Sequence, residues 1–386
     1  MKSGEELGAN IECVEAEAVA AWLRGLGTEA KATKVLSMCL AMAAEKSDVG
    51  LAKRLLALGA NPAHAEISAI PGEKAAIEGI DRTEWIAPWT AAIAADSAEC
   101  LAAMAEAGLP RVRPGLLFPQ GVVQENLLAE IAAAKGAPKC LKMALGWARE
   151  DDPARLWQIE SKAWRAIAYG DAGAREVEAM ANALIGAGSD IDGHCPVEDR
   201  HDQSESPLEL AASQNPLAVK GLLAAGADPN KGRPVAIATE SWDESSLSCL
   251  TLLLAAGGDP EMMQDGGPLQ DAIERDWDQK VLALIAAGAK IERLFTPSGL
   301  GMLAFAASSG AARCVEALLV AGLDPDEKVE GLPIDKWVEQ ESKANHPRAL
   351  RLGWERSIEI IRAASEAKAL AVASGKETVK RGAPRI

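Results

Sequence analysis

The sequence predicts an all-α fold built as a row of paired helices. Three observations carry the prediction. A Leu-rich phrase that stops at glycine recurs along the chain, and a shorter apolar phrase, usually opened by proline, precedes most copies of it. The composition, with one Tyr, three Phe and ten Trp, leaves a core of Ala, Leu, Ile, Val and Met, which suits thin helices packed closely. At 386 residues the chain exceeds what one compact core usually supports, so two domains or an elongated array is expected. Its 48% apolar content is enough for an ordered interior.

The long phrase reads LLALGANP up to Pro62, LLAAGADPN over 222–230, LLLAAGGDP up to Pro260, LIAAGAKI over 284–291 and LLVAGLDPD over 318–326. Weaker copies are MAEAGLP (104–110), LIGAGSDI (184–191) and MALGWA (143–148). Their glycines, Gly59, Gly108, Gly146, Gly188, Gly226, Gly257, Gly288 and Gly322, are spaced by 49, 38, 42, 38, 31, 31 and 34 residues. A period near 33 with irregular early members marks a helical-repeat solenoid. In each copy the leucines and the apolar residues three and four positions before them form one helical stripe. Glycine ends the helix because it alone enters the left-handed region without a Cβ clash. The Asp-Pro or Asn-Pro that often follows forces an extended exit.

The short phrase opens a second helix. Ser206 is placed to cap Pro207-Leu208-Glu209-Leu210-Ala211-Ala212, with Pro207 at the first helical position. Its relatives are PWTAAI (88–93), PVAIA (234–238), PLQDAI (268–273) and MLAFAA (302–307). The unit is therefore helix, tight turn, longer helix, glycine-ended loop.

These units resemble the ankyrin repeat, whose pattern opens with Gly-x-Thr-Pro-Leu-His-x-Ala-Ala, continues through Val-x-x-Leu-Leu-x-x-Gly-Ala and closes with Asp or Asn. Met302 to Asp326 follows it, with Leu300-Gly301-Met302-Leu303-Ala304 in place of the Thr-Pro-Leu-His segment, and Ser206-Pro207-Leu208-Glu209 carries Glu where the family has His. The resemblance covers roughly residues 32 to 345, strongest from 205 onward and weakest over 111–180. It implies an ankyrin-like solenoid of about eight divergent repeats curved into a shallow arc, and a non-enzymatic protein that holds another protein on its concave hairpin and short-helix face. Most repeats lack the Thr and His that tie ankyrin loops together, so irregular or longer loops are expected.

A solenoid needs polar ends. The expected organisation is an N-terminal helical cap over 1–31 (its helix at 11–26), a repeat array over 32–326, a C-terminal half repeat and capping helix over 327–375, and a basic flexible tail over 376–386. Gly331-Leu332-Pro333-Ile334-Asp335 starts the half repeat, and 348–372 is a long amphipathic helix. No run nears the roughly 18 apolar residues of a membrane span, and the odd, scattered set of seven cysteines suits a reduced compartment. A monomeric cytoplasmic protein is expected, with export by a specialised secretion system as the alternative. Forty basic against fifty-six acidic residues, a net charge of −16, disfavours nucleic acid as a ligand.

No Gly-x-Ser-x-Gly elbow, Walker loop or dinucleotide fingerprint occurs, and the four His stand in loop-like settings. No catalytic residue, cofactor or metal is therefore assigned. The nearest approach to a metal site or an enzyme centre is Asp192-Gly193-His194-Cys195 with Asp199, His201 and Asp202, which reads better as a long polar hairpin loop. Cys100, Cys249 and Cys314 each fall eight residues before a helix-ending glycine, a buried position. Among the tryptophans, Trp85, Trp89, Trp157 and Trp164 read as gap fillers. Trp242 and Trp277, in the inter-helix turns of consecutive repeats, are the candidates for an exposed anchor. Glu240, Asp243, Glu244, Asp276 and Asp278 surround them, which would suit a partner with Arg or Lys on an apolar patch. An adaptor, inhibitor or immunity-type protein is the leading functional expectation, a secreted effector acting on a host protein the alternative.

Overall fold

A computed structural model describes residues 29–63, 66–67, 85–117, 123–125, 127–193, 195–197, 200–261, 267–291, 300–344 and 348–374. The expected capping helix at 11–26 and the basic tail lie outside the described residues. The chain divides into two compact units, Met1–Pro207 with Ala224–Gly226, and Leu208–Leu223 with Ala227–Ile386.

Among the described residues of the first unit the helices come in four successive pairs. They are α1 (Glu29–Glu45) with α2 (Val49–Ala57), α3 (Pro88–Ala94) with α4 (Ala98–Glu106), α5 (Leu128–Ala134) with α6 (Pro138–Asp151), and α7 (Leu156–Tyr169) with α8 (Ala174–Gly186). The first helices touch in the order α1, α3, α5, α7 and the second helices in the order α2, α4, α6, α8. The second unit's helices are α9 (Pro207–Ala212), α10 (Pro216–Ala224), α11 (Pro234–Glu240), α12 (Ser246–Ala255), α13 (Gly267–Glu274), α14 (Asp278–Ala286), α15 (Met302–Ser308), α16 (Ala312–Val320), α17 (Ile334–Ala344) and α18 (Arg348–Ala373). There α11, α13, α15 and α17 form one row and α12, α14, α16 and α18 the other.

This stacking buries the stripes that the sequence carries. In α12, α14 and α16 the buried residues include Cys249, Leu250 and Leu253, then Val281 and Leu284, then Cys314, Val315 and Leu318. The small Ala side chains of the first helices, Ala91 and Ala92, Ala211 and Ala212, Ala306 and Ala307, are buried as well and let neighbouring helices approach. No helix among the described residues is long and apolar enough to cross a membrane.

Seven of the eight glycines end helices as the sequence reading expects, with φ between +91° at Gly188 and +104° at Gly322. The residue after each glycine returns its N–H to a carbonyl five positions back: Ala60 to Leu55, Leu109 to Met104, Ser189 to Leu184, Ala227 to Leu222, Gly258 to Leu253, Ala289 to Leu284 and Leu323 to Leu318. A Cβ at Gly257 or Gly322 would meet nothing within 4 Å, so glycine stands there for its backbone freedom alone. The eighth, Gly146, corrects the reading. It lies inside α6, because the buried stripe Cys140, Leu141, Ala144, Leu145, Ala148 continues past it.

Among the described residues the loops hold four two-stranded antiparallel hairpins, at 66–67/85–86, 115–117/123–125, 195–197/200–205 and 328–329/332–333. The third is the polar hairpin foreseen at 192–202. The others are too short to leave a period-two signal. Without the family's Thr and His, other side chains tie neighbouring loops. Glu209, in the expected His position, accepts from Arg233 N at 2.8 Å, Asn230 Oδ1 from Asp259 N at 2.7 Å, and Glu261 Oε1 from Lys290 N at 2.7 Å. Two aspartates in left-handed turns, Asp96 and Asp276, cap the next repeat's second helix: Asp96 accepts from Cys140 N and Asp276 from Cys314 N, both at 3.0 Å.

Two glycine substitutions are expected to act in opposite directions. Gly257→Ala forces a side chain into the left-handed region at about 1 kcal/mol. Gly146→Ala, inside α6, adds about 0.5–1 kcal/mol of helix stability. Urea midpoints of the two variants check this, and equal signs would overturn the assignment.

Candidate functional site

The candidate site lies within the second unit, where the α11–α12 turn stands beside the α13–α14 turn. Five residues, 241–245, join α11 to α12, whereas three join α13 to α14 and α15 to α16. The longer turn carries Trp242 outward to 76% exposure. Its ring meets that of Trp277 edge to face, with centroids 4.8 Å apart and planes at 78°, a geometry worth about 0.5–1.5 kcal/mol beyond area.

Beneath Trp277 lies Lys280, which sequence reasoning missed. Its side chain is buried, and Nζ donates to the carbonyls of Ala238 and Thr239, each at 3.0 Å, and Ser241 at 2.7 Å. These carbonyls close the C-terminal end of α11, where a cation is favoured. The same ammonium sits 4.0 Å from the Trp277 ring centroid, and Arg275 lies over that ring at 5.3 Å. Burial pulls the Lys280 pKa down to about 8, with the Arg275 charge adding to the fall and Cys249 opposing it.

The repeat itself held the signal that could have found Lys280. It falls eight residues before Gly288, the position that Cys100, Cys249 and Cys314 occupy before their own glycines. In the adjacent repeats that thiol faces a first-helix carbonyl, Cys249 toward Ala211 O and Cys314 toward Ala272 O at 3.9 Å, and in the first unit Cys140 faces Ala92 O at 3.8 Å. Ala238, four residues after Pro234, matches Ala92, Ala211 and Ala272 after their own prolines. Lys280 thus makes the cysteine's contact with a charge added. Trp277 is the N-cap residue of α14 and, like Ala137 and Ala311 at the same place in α6 and α16, makes no side-chain cap bond; what sets it apart is the large ring it carries there.

The five acidic residues named with the two Trp divide into two sets. Glu240 pairs with Arg233 at 3.0 Å. Asp276 and Asp278 face Arg313 at 3.1 and 3.7 Å. Asp243 and Glu244 stay exposed without an ion pair among the described residues, Asp243 Oδ1 accepting only from Ser245 N at 2.8 Å. A shallow groove of about 310 Å³ runs among Trp242, Asp243, Leu247, Trp277 and Arg313.

Elsewhere the structure sorts the other candidates. Cys39, Cys100, Cys140, Cys195, Cys249 and Cys314 are all buried, and burial pushes every one of these thiols up, away from nucleophilic or ligand chemistry. Trp89 is fully buried, and Trp164 is buried with Nε1 donating to Ser189 Oγ at 2.8 Å, both as gap fillers. Trp157, by contrast, is 57% exposed. The side chain of Trp85 lies outside the described residues. Cys195 packs inside the 195–205 hairpin, while His194, Asp199 and the side chains of His201 and Asp202 lie outside the described residues. Among the described residues no three His, Cys, Asp or Glu side chains gather as metal ligands.

Stacked helix pairs, glycine-ended second helices, loop hairpins and side-chain loop ties together define an all-α helical-repeat protein. The repeats are ankyrin-like. No protein-family model and no curated protein matches the chain. Among solved structures it is similar to the human ASB11 ankyrin repeat domain, with 17% identity over 73% of this chain and 96% of that one and a TM-score of 0.31.

The depressed Lys280 pKa predicts a pH signature. Because the folded value lies below the 10.5 of a free lysine, the unfolded chain binds more protons between about pH 8 and pH 10.5, and stability rises with pH across that window. Lys280→Met removes the linkage, so the stability of the variant relative to the parent should fall as pH climbs from 8 to 10.5. Urea midpoints at closely spaced pH values test this, and a difference that stays flat would reject it.

Proposed function

We propose that the chain is a non-enzymatic protein-interaction module, and that its partner docks on the turn and short-helix side of the second unit around Trp242. One observation carries the reading: Trp242 stands 76% exposed, propped against Trp277 on the longest inter-helix turn among the described residues. A tryptophan held in place before binding loses little freedom on docking, and Trp is a preferred anchor at interface centres. The Trp277 face already holds Lys280, so the partner's cations meet Asp243 and Glu244 and its apolar patch meets Trp242 and Leu247. An adaptor, an inhibitor, an immunity-type protein or an exported effector would all use such a surface alike. The net charge of −16 argues against nucleic acid as the ligand.

The test compares quantitative affinity capture by the parent chain and by Trp242→Ala, with Trp157→Ala as the control for loss of an exposed ring. The expected outcome is one or more partners depleted at least tenfold by Trp242→Ala alone, at an unchanged melting temperature. Identical partner sets for the parent and Trp242→Ala would overturn the reading.

A further inference from the structure

A groove of about 650 Å³ lies in the first unit, between α6 and α8. Lys139, Lys142 and Arg149 wall it from α6, and Gly146 and Ala183 lie on its floor above the buried Leu145. The α6 residues 139, 142, 146 and 149 follow one another at helical spacing, so they share one stripe. No carboxylate lines the groove among the described residues. On a chain of net charge −16 this is a local reversal of sign.

The glycines of the groove supply a second, independent observation. Gly146 and Gly186 are helical, and a Cβ built on either meets nothing within 4 Å. The fold's own packing does not require them. Gly353 is the contrast, since a Cβ there would strike the carbonyl of Gly310. A mid-helix glycine such as Gly146 costs roughly 0.5–1 kcal/mol relative to alanine, so its presence in open space calls for a reason outside the packed chain. Close approach of another backbone is such a reason.

We infer that this groove is a second docking site, for an acidic peptide segment of a partner protein whose backbone rests on Gly146 and whose carboxylates meet Lys139, Lys142 and Arg149. Charge complementarity selects the acidic segment, and the open surface at Gly146 beside Ala183 suits a peptide backbone over a phosphodiester chain, which the net charge of −16 repels. The site belongs to a different unit from Trp242 and stands without the reading given above.

Phage selection of random peptides on the full chain, followed by clone-by-clone binding to variants, tests it. Clones enriched in Asp and Glu are expected. Their binding should drop at least tenfold on the double variant Lys139→Glu/Lys142→Glu and on Gly146→Leu, and should weaken with added salt while surviving Trp242→Ala. Gly146→Leu also raises the urea midpoint, which separates a blocked groove from a failed fold. The inference falls if selection yields no clone sensitive to both variants, if the sensitive clones carry no excess of Asp and Glu, or if a short DNA duplex displaces them.

Discussion

The structure depends on one constraint: a pair of short helices cannot bury its own apolar faces, and every pair is completed by a neighbour. A first helix of seven residues has two turns, too few to be stable alone in water. Stacking supplies what the single pair lacks. First helices lean on first helices through Ala, second helices on second helices through Leu, Ile, Val and Cys, and the glycine reversal after seven of the second helices resets the chain for the next pair. Because each pair leans on its neighbours, backbone groups left open at one repeat's edges are satisfied from the adjacent repeat. Asp96 and Asp276 cap helices that belong to the following pair, and Glu209, Asn230 and Glu261 fasten the following loop. Side chains that look dispensable within one repeat are therefore structural across two.

That division of labour decides which surface is free to vary. Positions facing the neighbour are held by packing, while the inter-helix turns face solvent and can lengthen or carry a large ring without disturbing the stack. The α11–α12 turn does both. Its five residues lift Trp242 away, and the loss of order is limited because Trp277 supports the ring and Lys280 fixes the end of α11. The buried ammonium is tolerated because three carbonyls and an aromatic face replace its water.

Most of the fold was legible in the sequence, because its two main signals are local. A left-handed residue needs glycine, and a buried stripe needs apolar residues at helical spacing, so Gly59, Gly257 and Gly322 announced their own geometry. Gly146 misled for the same reason. A glycine beside a Leu reads as a terminator, and only the continuing stripe to Ala148, together with Asp151 as the true end, shows that the helix runs on. The site was half legible. Trp242 and Trp277 stood out as large residues in turns, but the division of the five carboxylates depended on Arg233 and Arg313, and Arg313 lies 37 residues from Asp276. Such pairings are set by stacking and leave no trace in spacing. Lys280 was hidden because a charged residue on a helix is usually read as solvated, although its register with Cys249 and Cys314 was countable.

Register gives a repeat protein an internal reference that an ordinary globular chain lacks. Equivalent positions in successive pairs face the same packing problem, so a residue that departs from its equivalents answers to something other than that problem. Cysteine solves the position of Lys280 without a charge, and alanine serves at the position of Trp277 in α6 and α16. Both residues stand in one repeat, beside the longest inter-helix turn among the described residues. Local rules are broken most often where function requires it, and the stability given up there is carried by the regular repeats on either side. Gly146 obeys the same logic from the opposite direction: a side chain is missing where the fold has room for one. A helical stack can accommodate either kind of exception because neighbouring pairs hold the altered one in place.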